Sequence, residues 1–165
     1  MGKKIKLSDL SDPEKLKKHQ PELDSYFDKG GTWQELLGYD PDKMEDHYKT
    51  GYNLYQSAEF KKAGGVFSYL TMLNPYEYKY WMGLGLAKQS EHFFEEAIVA
   101  YIVAESVDPE EPLPHFSLAQ CYYALQLFDE TKDHLNKAVK VAKMTPEDQE
   151  IKRKATILLQ NLPKL

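Results

Sequence analysis

The chain has 165 residues, 42% hydrophobic and 28% charged, a composition of an ordinary globular domain long enough to bury a core. With 26 acids against 21 bases its formal charge is −5, which argues against nucleic-acid binding by phosphate neutralisation. A single cysteine, Cys121, excludes an intrachain disulfide and fits a reducing compartment, while 12 Tyr, 7 Phe and 2 Trp give an unusual 13% aromatic content.

The start, from Met1 to Leu7, is basic but leads into Ser8, Asp9 and Asp12 without an apolar stretch, so neither an export signal nor a membrane span is expected. The residues before Ser8 are expected to be disordered. Ser11-Asp12-Pro13-Glu14 reads as a helix start with proline at the first position, and that helix runs to a break at Gly30-Gly31. Thr32-x-x-Glu35 is a capping box for a short turn carrying Trp33, Leu36 and Leu37. Asp40-Pro41 then opens a further helix.

From here the chain is self-similar. Ala63, Ala97 and Thr131 are each 34 positions apart, as are Gly51, Gly85 and Ala119, and Phe67, Tyr101 and Leu135. His47, Trp81 and His115 hold the same register, and Pro75 and Pro109 close the units. Small, aromatic and proline residues at these offsets make the tetratricopeptide pattern, with Trp81-x2-Leu84-Gly85, Ala97-x3-Tyr101 and Pro109 as its clearest copy. Three helix pairs are predicted at 44–77, 78–111 and 112–145. The glycines of each first helix are expected to face small residues such as Ala63 and Ala97 on the second. Thr145-Pro146 starts a last helix with Ile151, Ala155, Leu158, Leu159 and Leu162 on one face, which suits a solvating cap. The fold class is therefore all-α: a tetratricopeptide solenoid of three helix pairs, preceded by an N-terminal segment (1–43) and closed by a capping helix (146–165).

In such a stack the first helices line the concave side, with positions near 2, 5, 9 and 12 of each repeat pointing inward. Position 5 supplies Tyr48, Met82 and Phe116, position 9 supplies Tyr52, Leu86 and Gln120, and position 12 supplies Tyr55, Gln89 and Tyr123. The core is already provided by positions 4, 7, 8 and 11, so Tyr48, Tyr52 and Tyr55 are surplus to it. This wall is aromatic and aliphatic, with only Lys49 and Lys79 nearby, and it suits an extended peptide with apolar anchors better than a clamp for a carboxylate.

No catalytic set is found. His19, His47, His92, His115 and His134 show no paired ligand spacing and Cys121 has no CxxC partner, so no metal and no cofactor is expected. Glu95-Glu96 and Glu110-Glu111 read as acids in first helical turns. Gly83-Leu84-Gly85 and Gly64-Gly65 lie within helices and make no phosphate loop.

Several stretches carry a more specific likeness. Tyr26-Phe27-Asp28-Lys29-Gly30-Gly31-Thr32, Leu36-Leu37-Gly38, Tyr52-x2-Tyr55-Gln56-x3-Phe60, Phe67-x2-Leu70-x2-Leu73, Trp81-Met82-Gly83-Leu84-Gly85 and Asp108-Pro109-x2-Pro112-x-Pro114-His115 together resemble the class II chaperones of bacterial type III secretion. The resemblance implies a non-enzymatic protein of the bacterial cytoplasm that keeps hydrophobic translocator proteins soluble before secretion. It implies that an extended translocator segment lies in the groove, on Tyr48, Tyr52, Tyr55, Met82, Leu86, Phe116 and Tyr123. It also implies a homodimer through the N-terminal helix at 13–29. From charge and hydropathy, no nucleic-acid partner and no insertion into the membrane are expected. A general tetratricopeptide adaptor or co-chaperone in another assembly is the second reading.

Overall fold

The computed structural model describes residues 10–163, which contain nine helices and no strand. The expectation for residues before Ser8, and the last two positions of the capping segment, lie outside the described residues. The helices are α1 (Pro13–Asp28), α2 (Trp33–Leu37), α3 (Pro41–Gln56), α4 (Phe60–Leu73), α5 (Tyr78–Ser90), α6 (Phe94–Val107), α7 (Pro112–Ala124), α8 (Phe128–Val141) and α9 (Pro146–Gln160). From α3 onward each helix packs on the next, and α9 lies against α8 and α7. The result is three tetratricopeptide helix pairs, α3/α4, α5/α6 and α7/α8, with α9 over the open end.

Helix starts follow local chemistry. Asp12, Asp40 and Thr145 are N-caps whose side chains accept amide hydrogen bonds from Glu14 and Lys15, from Lys43, and from Asp148, and in each case proline occupies the first helical position. At the start of α2 the Thr32 hydroxyl accepts from the Glu35 amide at 3.2 Å, but Glu35 does not reach back to the Thr32 amide. Tyr26 stands between them. Its hydroxyl accepts from the Thr32 amide at 3.2 Å and donates to Glu35 Oε2 at 2.7 Å, so a phenol relays the second half of the capping box. The Tyr26 ring lies flat against Gly31, where any Cβ would overlap it, and Gly30 takes φ +85°. Both glycines of the junction are thus required, one by contact and one by backbone.

The turn inside each pair also repeats every 34 residues. Ala58, His92 and Gln126 all adopt the left-handed region, at φ 59°, 64° and 61°. Each sits in the same double hydrogen bond, Ala58 N–H to Tyr55 C=O and Glu59 N–H to Leu54 C=O in the first pair, with equivalents after α5 and α7. This is a Schellman ending without its usual glycine. Between pairs, Trp81 Nε1 donates to the Pro75 carbonyl at 2.8 Å and fixes the turn into α5. At the turn into α9 Asp148 Oδ2 accepts from the Lys143 amide at 2.8 Å, which secures the end of the third repeat, where Lys143 stands in place of the proline that closes the first two. Glu110 and Glu111 precede α7 and do not lie in its first turn, because Pro112 takes the first helical position.

Three apolar clusters run along the stack. The first joins Met44, Phe67, Leu70, Leu73 and Tyr80; the second joins Met82, Tyr101, Leu118 and Cys121; the third joins Ala119, Leu135, Ala138 and Ala155, with Ile151, Leu158 and Leu159 of α9, and Leu162 just beyond that helix, packed against it. Each cluster draws residues from neighbouring units, so no pair buries its own apolar face alone. Thr131 is fully buried where the other repeats have alanine, and its hydroxyl donates to the Leu127 carbonyl at 2.7 Å.

One sequence expectation needs correction. The first-helix glycines face rings, not small residues. A Cβ on Gly51 would come within 3.0 Å of the Phe67 ring, one on Gly83 within 2.5 Å of the same ring, and one on Gly85 would overlap Tyr101. The bare backbone makes slots, and a planar side chain from the second helix fills each. Ala63 and Ala97 are buried in the same clusters, but the atom nearest a Cβ on each of these glycines belongs to a ring.

The buried phenols set an alkaline limit. Burial is the main cause that pushes Tyr78 and Tyr101 upward, and it pushes the Cys121 thiol up to about 12. Ionisation is therefore easier in the unfolded chain than in the fold. The contribution is complete below the ordinary values of 9.0 for the thiol and 10.0 for the phenols and is lost as pH rises beyond them. The urea midpoint is expected to drop markedly from pH 9 to pH 11, roughly tracking those ordinary values. An unchanged midpoint across that interval would contradict the sealed second cluster.

Candidate functional site

Helices α3 and α5 diverge enough to leave an apolar groove of about 320 Å³, walled by Tyr48, Tyr52, Tyr55 and Gln56 on one side and by Tyr78, Lys79, Met82 and Leu86 on the other. Phe67 and Gly83 form its floor and Leu113, at the start of α7, closes one end. Gly83 belongs to this floor because its bare backbone admits the buried Phe67 ring, which a Cβ there would overlap.

The tyrosines differ in how they are held. Tyr48 packs between Phe67 and Tyr80, with ring centroids 5.8 and 6.1 Å away, and burial raises its phenol above the usual range. Tyr55 lies 5.3 Å from the Phe60 ring and its hydroxyl is 3.3 Å from Ser90 Oγ. Tyr52 is 50% exposed, so its ring is free to close on a bound chain. This combination gives two anchored rings and one adaptable one along a single helix face.

The charge at the rim is neutralised internally. Lys79 Nζ lies 2.6 Å from Glu45 Oε2 and 4.6 Å from the centre of the Tyr48 ring. The hydrogen bond from Lys79 holds the Glu45 carboxyl below its ordinary value, and the same bond raises Lys79. Lys79 thus serves to orient Tyr48 and carries no spare charge for a carboxylate ligand.

Of the residues expected from the repeat register, Tyr48, Tyr52, Tyr55, Met82 and Leu86 come together in this groove. Gln89, Phe116, Gln120 and Tyr123 do not line it. The Gln89 amide oxygen is engaged by the Tyr101 hydroxyl at 2.7 Å. Phe116 is drawn onto the third cluster that α9 completes. Gln120 is exposed, and Tyr123 turns its edge towards Phe128, with centroids 5.8 Å apart. Lys79 and Leu113 are additions with a sequence signal, since both occupy position 2 of their repeats. Gln56, Tyr78, Phe67 and Gly83 have none, because the register places them outside the inward-facing set.

The histidines also depart from expectation. Linear spacing shows no ligand set, yet the stack brings Glu105, His115 and His134 from three helices to within 4.8 Å of one another. Among the described residues, no helix is long and apolar enough to cross a membrane.

No protein-family model matches the chain. Low calcium response locus protein H of Yersinia pseudotuberculosis is 28% identical over 142 residues, covering 86% of this chain and 84% of that protein. The type III secretion translocator chaperone SycD of Yersinia enterocolitica matches in structure with a TM-score of 0.76 at 27% identity, over 80% of this chain and 98% of SycD. PcrH of Pseudomonas aeruginosa, solved with the chaperone binding region of PopB, matches with a TM-score of 0.71 at 30% identity, over 74% of this chain and 98% of that one.

Proposed function

The chain belongs to the class II translocator chaperones of type III secretion, and from that premise we propose that it holds a hydrophobic translocator protein soluble by seating an extended segment of it along the α3/α5 groove. The carrying observation is the apolar groove itself, with Tyr48, Tyr52, Tyr55, Met82 and Leu86 on facing walls and its rim cation already paired. In this reading residues 44–145 hold the client, 146–165 close the stack, and 1–43 carry self-association through the helix at 13–29. SycD, solved as an alternative dimer, is a relative that self-associates, which supports self-association in general and not the helix that carries it. The site of action is the bacterial cytoplasm, and the protein works by binding, with no chemical step.

The physics suits the task. A translocator must cross water with apolar segments that would otherwise aggregate, and a chaperone without an energy source acts only by mass action. A preformed groove is favourable because the ordering cost falls on the peptide alone. Tyrosine walls add large contact area while the hydroxyls stay hydrated or bonded.

Co-expression with the translocator of the same secretion system tests the reading. The translocator is expected in the soluble fraction and in one chromatographic peak with the chaperone. A translocator that stays insoluble, or elutes apart, refutes it.

A further inference from the structure

We propose that Glu105, His115 and His134 form a divalent-metal site, suited to Zn2+, that clips the third repeat onto the second. Glu105 lies near the end of α6, His115 in the first turns of α7 and His134 in the middle of α8, so the three ligands come from three helices and two repeats. One ligand atom from each falls within 4.8 Å of the others. His115 is 4% exposed. Its Nδ1 is 3.5 Å from Glu105 Oε1 but makes no hydrogen bond there, and the Nδ1 of His134 is likewise sealed from water without a partner.

Ordinary packing leaves those two nitrogens unexplained, because buried polar atoms are nearly always satisfied. A metal ion would satisfy both. Two imidazoles and a carboxylate are a donor set that zinc accepts, with water as the fourth ligand. Tetrahedral bonds of about 2.0–2.1 Å place donor atoms roughly 3.4 Å apart, so the set needs to close by little more than an ångström. The surroundings favour that closure. Tyr122 stacks on His134, with centroids 5.4 Å apart and planes at 24°, which fixes the ring. Lys137, the nearby cation, is paired with Asp133 at 2.8 Å. The third repeat carries the departures Thr131 and Lys143, so it is the unit that gains most from a bridge to α6. The clip is independent of what the groove holds.

Full-length chain stripped with a chelator and titrated with Zn2+, and separately with Co2+ as a spectroscopic probe, tests the site. One equivalent of Zn2+ is expected to bind and raise Tm, and Co2+ to show the visible bands of a four- or five-coordinate ion. Loss of one ligand, in Glu105→Gln or His134→Gln, is expected to weaken binding at least as much as the about 10–100-fold seen for loss of an outer partner. Neither change removes a fully buried side chain, so each variant's metal-free circular dichroism should match the parent, and either one alone suffices to read the result. His92→Gln, at an exposed turn position where the next repeat already has Gln126, should bind as the parent does. Equal binding by the Glu105 and His134 variants, or no binding at one equivalent, overturns the proposal and leaves two packed histidines.

Discussion

Gly85→Ala is expected to destabilise the chain by about 2–3 kcal/mol, whereas Gly65→Ala is expected to stabilise it by about 0.5–1 kcal/mol. Both glycines lie inside helices, α5 and α4, where alanine is intrinsically the better residue. They differ in what their missing side chains would meet. Nothing lies within 4 Å of a Cβ on Gly65, which is exposed, so only the propensity gain remains. A Cβ on Gly85 would stand 2.6 Å from Tyr101 Cδ1 and 2.8 Å from its Cζ. That ring is fully buried and tethered by its hydroxyl to Gln89, so it has nowhere to turn. Overpacking of about 1–3 kcal/mol or more then outweighs the propensity term. At about 2–4 °C per kcal/mol for a chain of this size, thermal melts should separate the two variants clearly. Tyr101→Leu in the Gly85→Ala background supplies a control. Removing the clashing ring should make the pair less damaging than the sum of its single changes, a coupling of about 0.5–3 kcal/mol for residues in direct contact. Strict additivity would show that the slot is not what makes Gly85 necessary.

The slots also mark where sequence reading stops. A 34-residue period identifies which positions are small, and Asp12-Pro13, Asp40-Pro41 and Thr145-Pro146 announce helix starts, because those are local rules of backbone and cap. What a small position faces is a property of two helices. The register that aligns Gly85 with Gly51 cannot say that Tyr101 rather than Ala97 lies on it. For the same reason the Tyr26 relay is invisible from Thr32-x-x-Glu35, and the turns at Ala58, His92 and Gln126 are hidden because none uses glycine. In the groove, positions 5 and 9 of the first two repeats were readable from helical periodicity. Phe116 was not separable from Tyr48 and Met82 in that register, since its diversion depends on α9 arriving from beyond the repeats. The cluster of Glu105, His115 and His134 has the same character: its members sit 10 and 19 positions apart in the chain and meet only across three helices.

That divergence between the register and the groove yields the second large effect. Leu86→Glu is expected to weaken binding of a peptide spanning the translocator's chaperone-binding segment by about 100-fold, or near 2.8 kcal/mol, while Gln120→Glu, one repeat on at the same register position, changes it less than about threefold. Leu86 is half-buried in the apolar wall facing Tyr52 and Tyr55, so a carboxylate there must either stay hydrated and block the seat or be buried without a partner. Gln120 is exposed and outside the groove. Tyr52→Ala should fall between them at about tenfold, since this exposed ring contributes contact without shaping the floor. Folding is separable from binding here. Leu86 can turn a glutamate towards solvent, so its Tm should remain within a few degrees of the parent, unlike that of Gly85→Ala. Calorimetric titration of each variant distinguishes the arrangements. Comparable losses at Leu86 and Gln120 would mean that the client spans all three first helices and that Phe116 and Tyr123 rejoin the wall when it binds. An unaffected Leu86→Glu would remove the α3/α5 groove as the client's seat and leave family membership without this site.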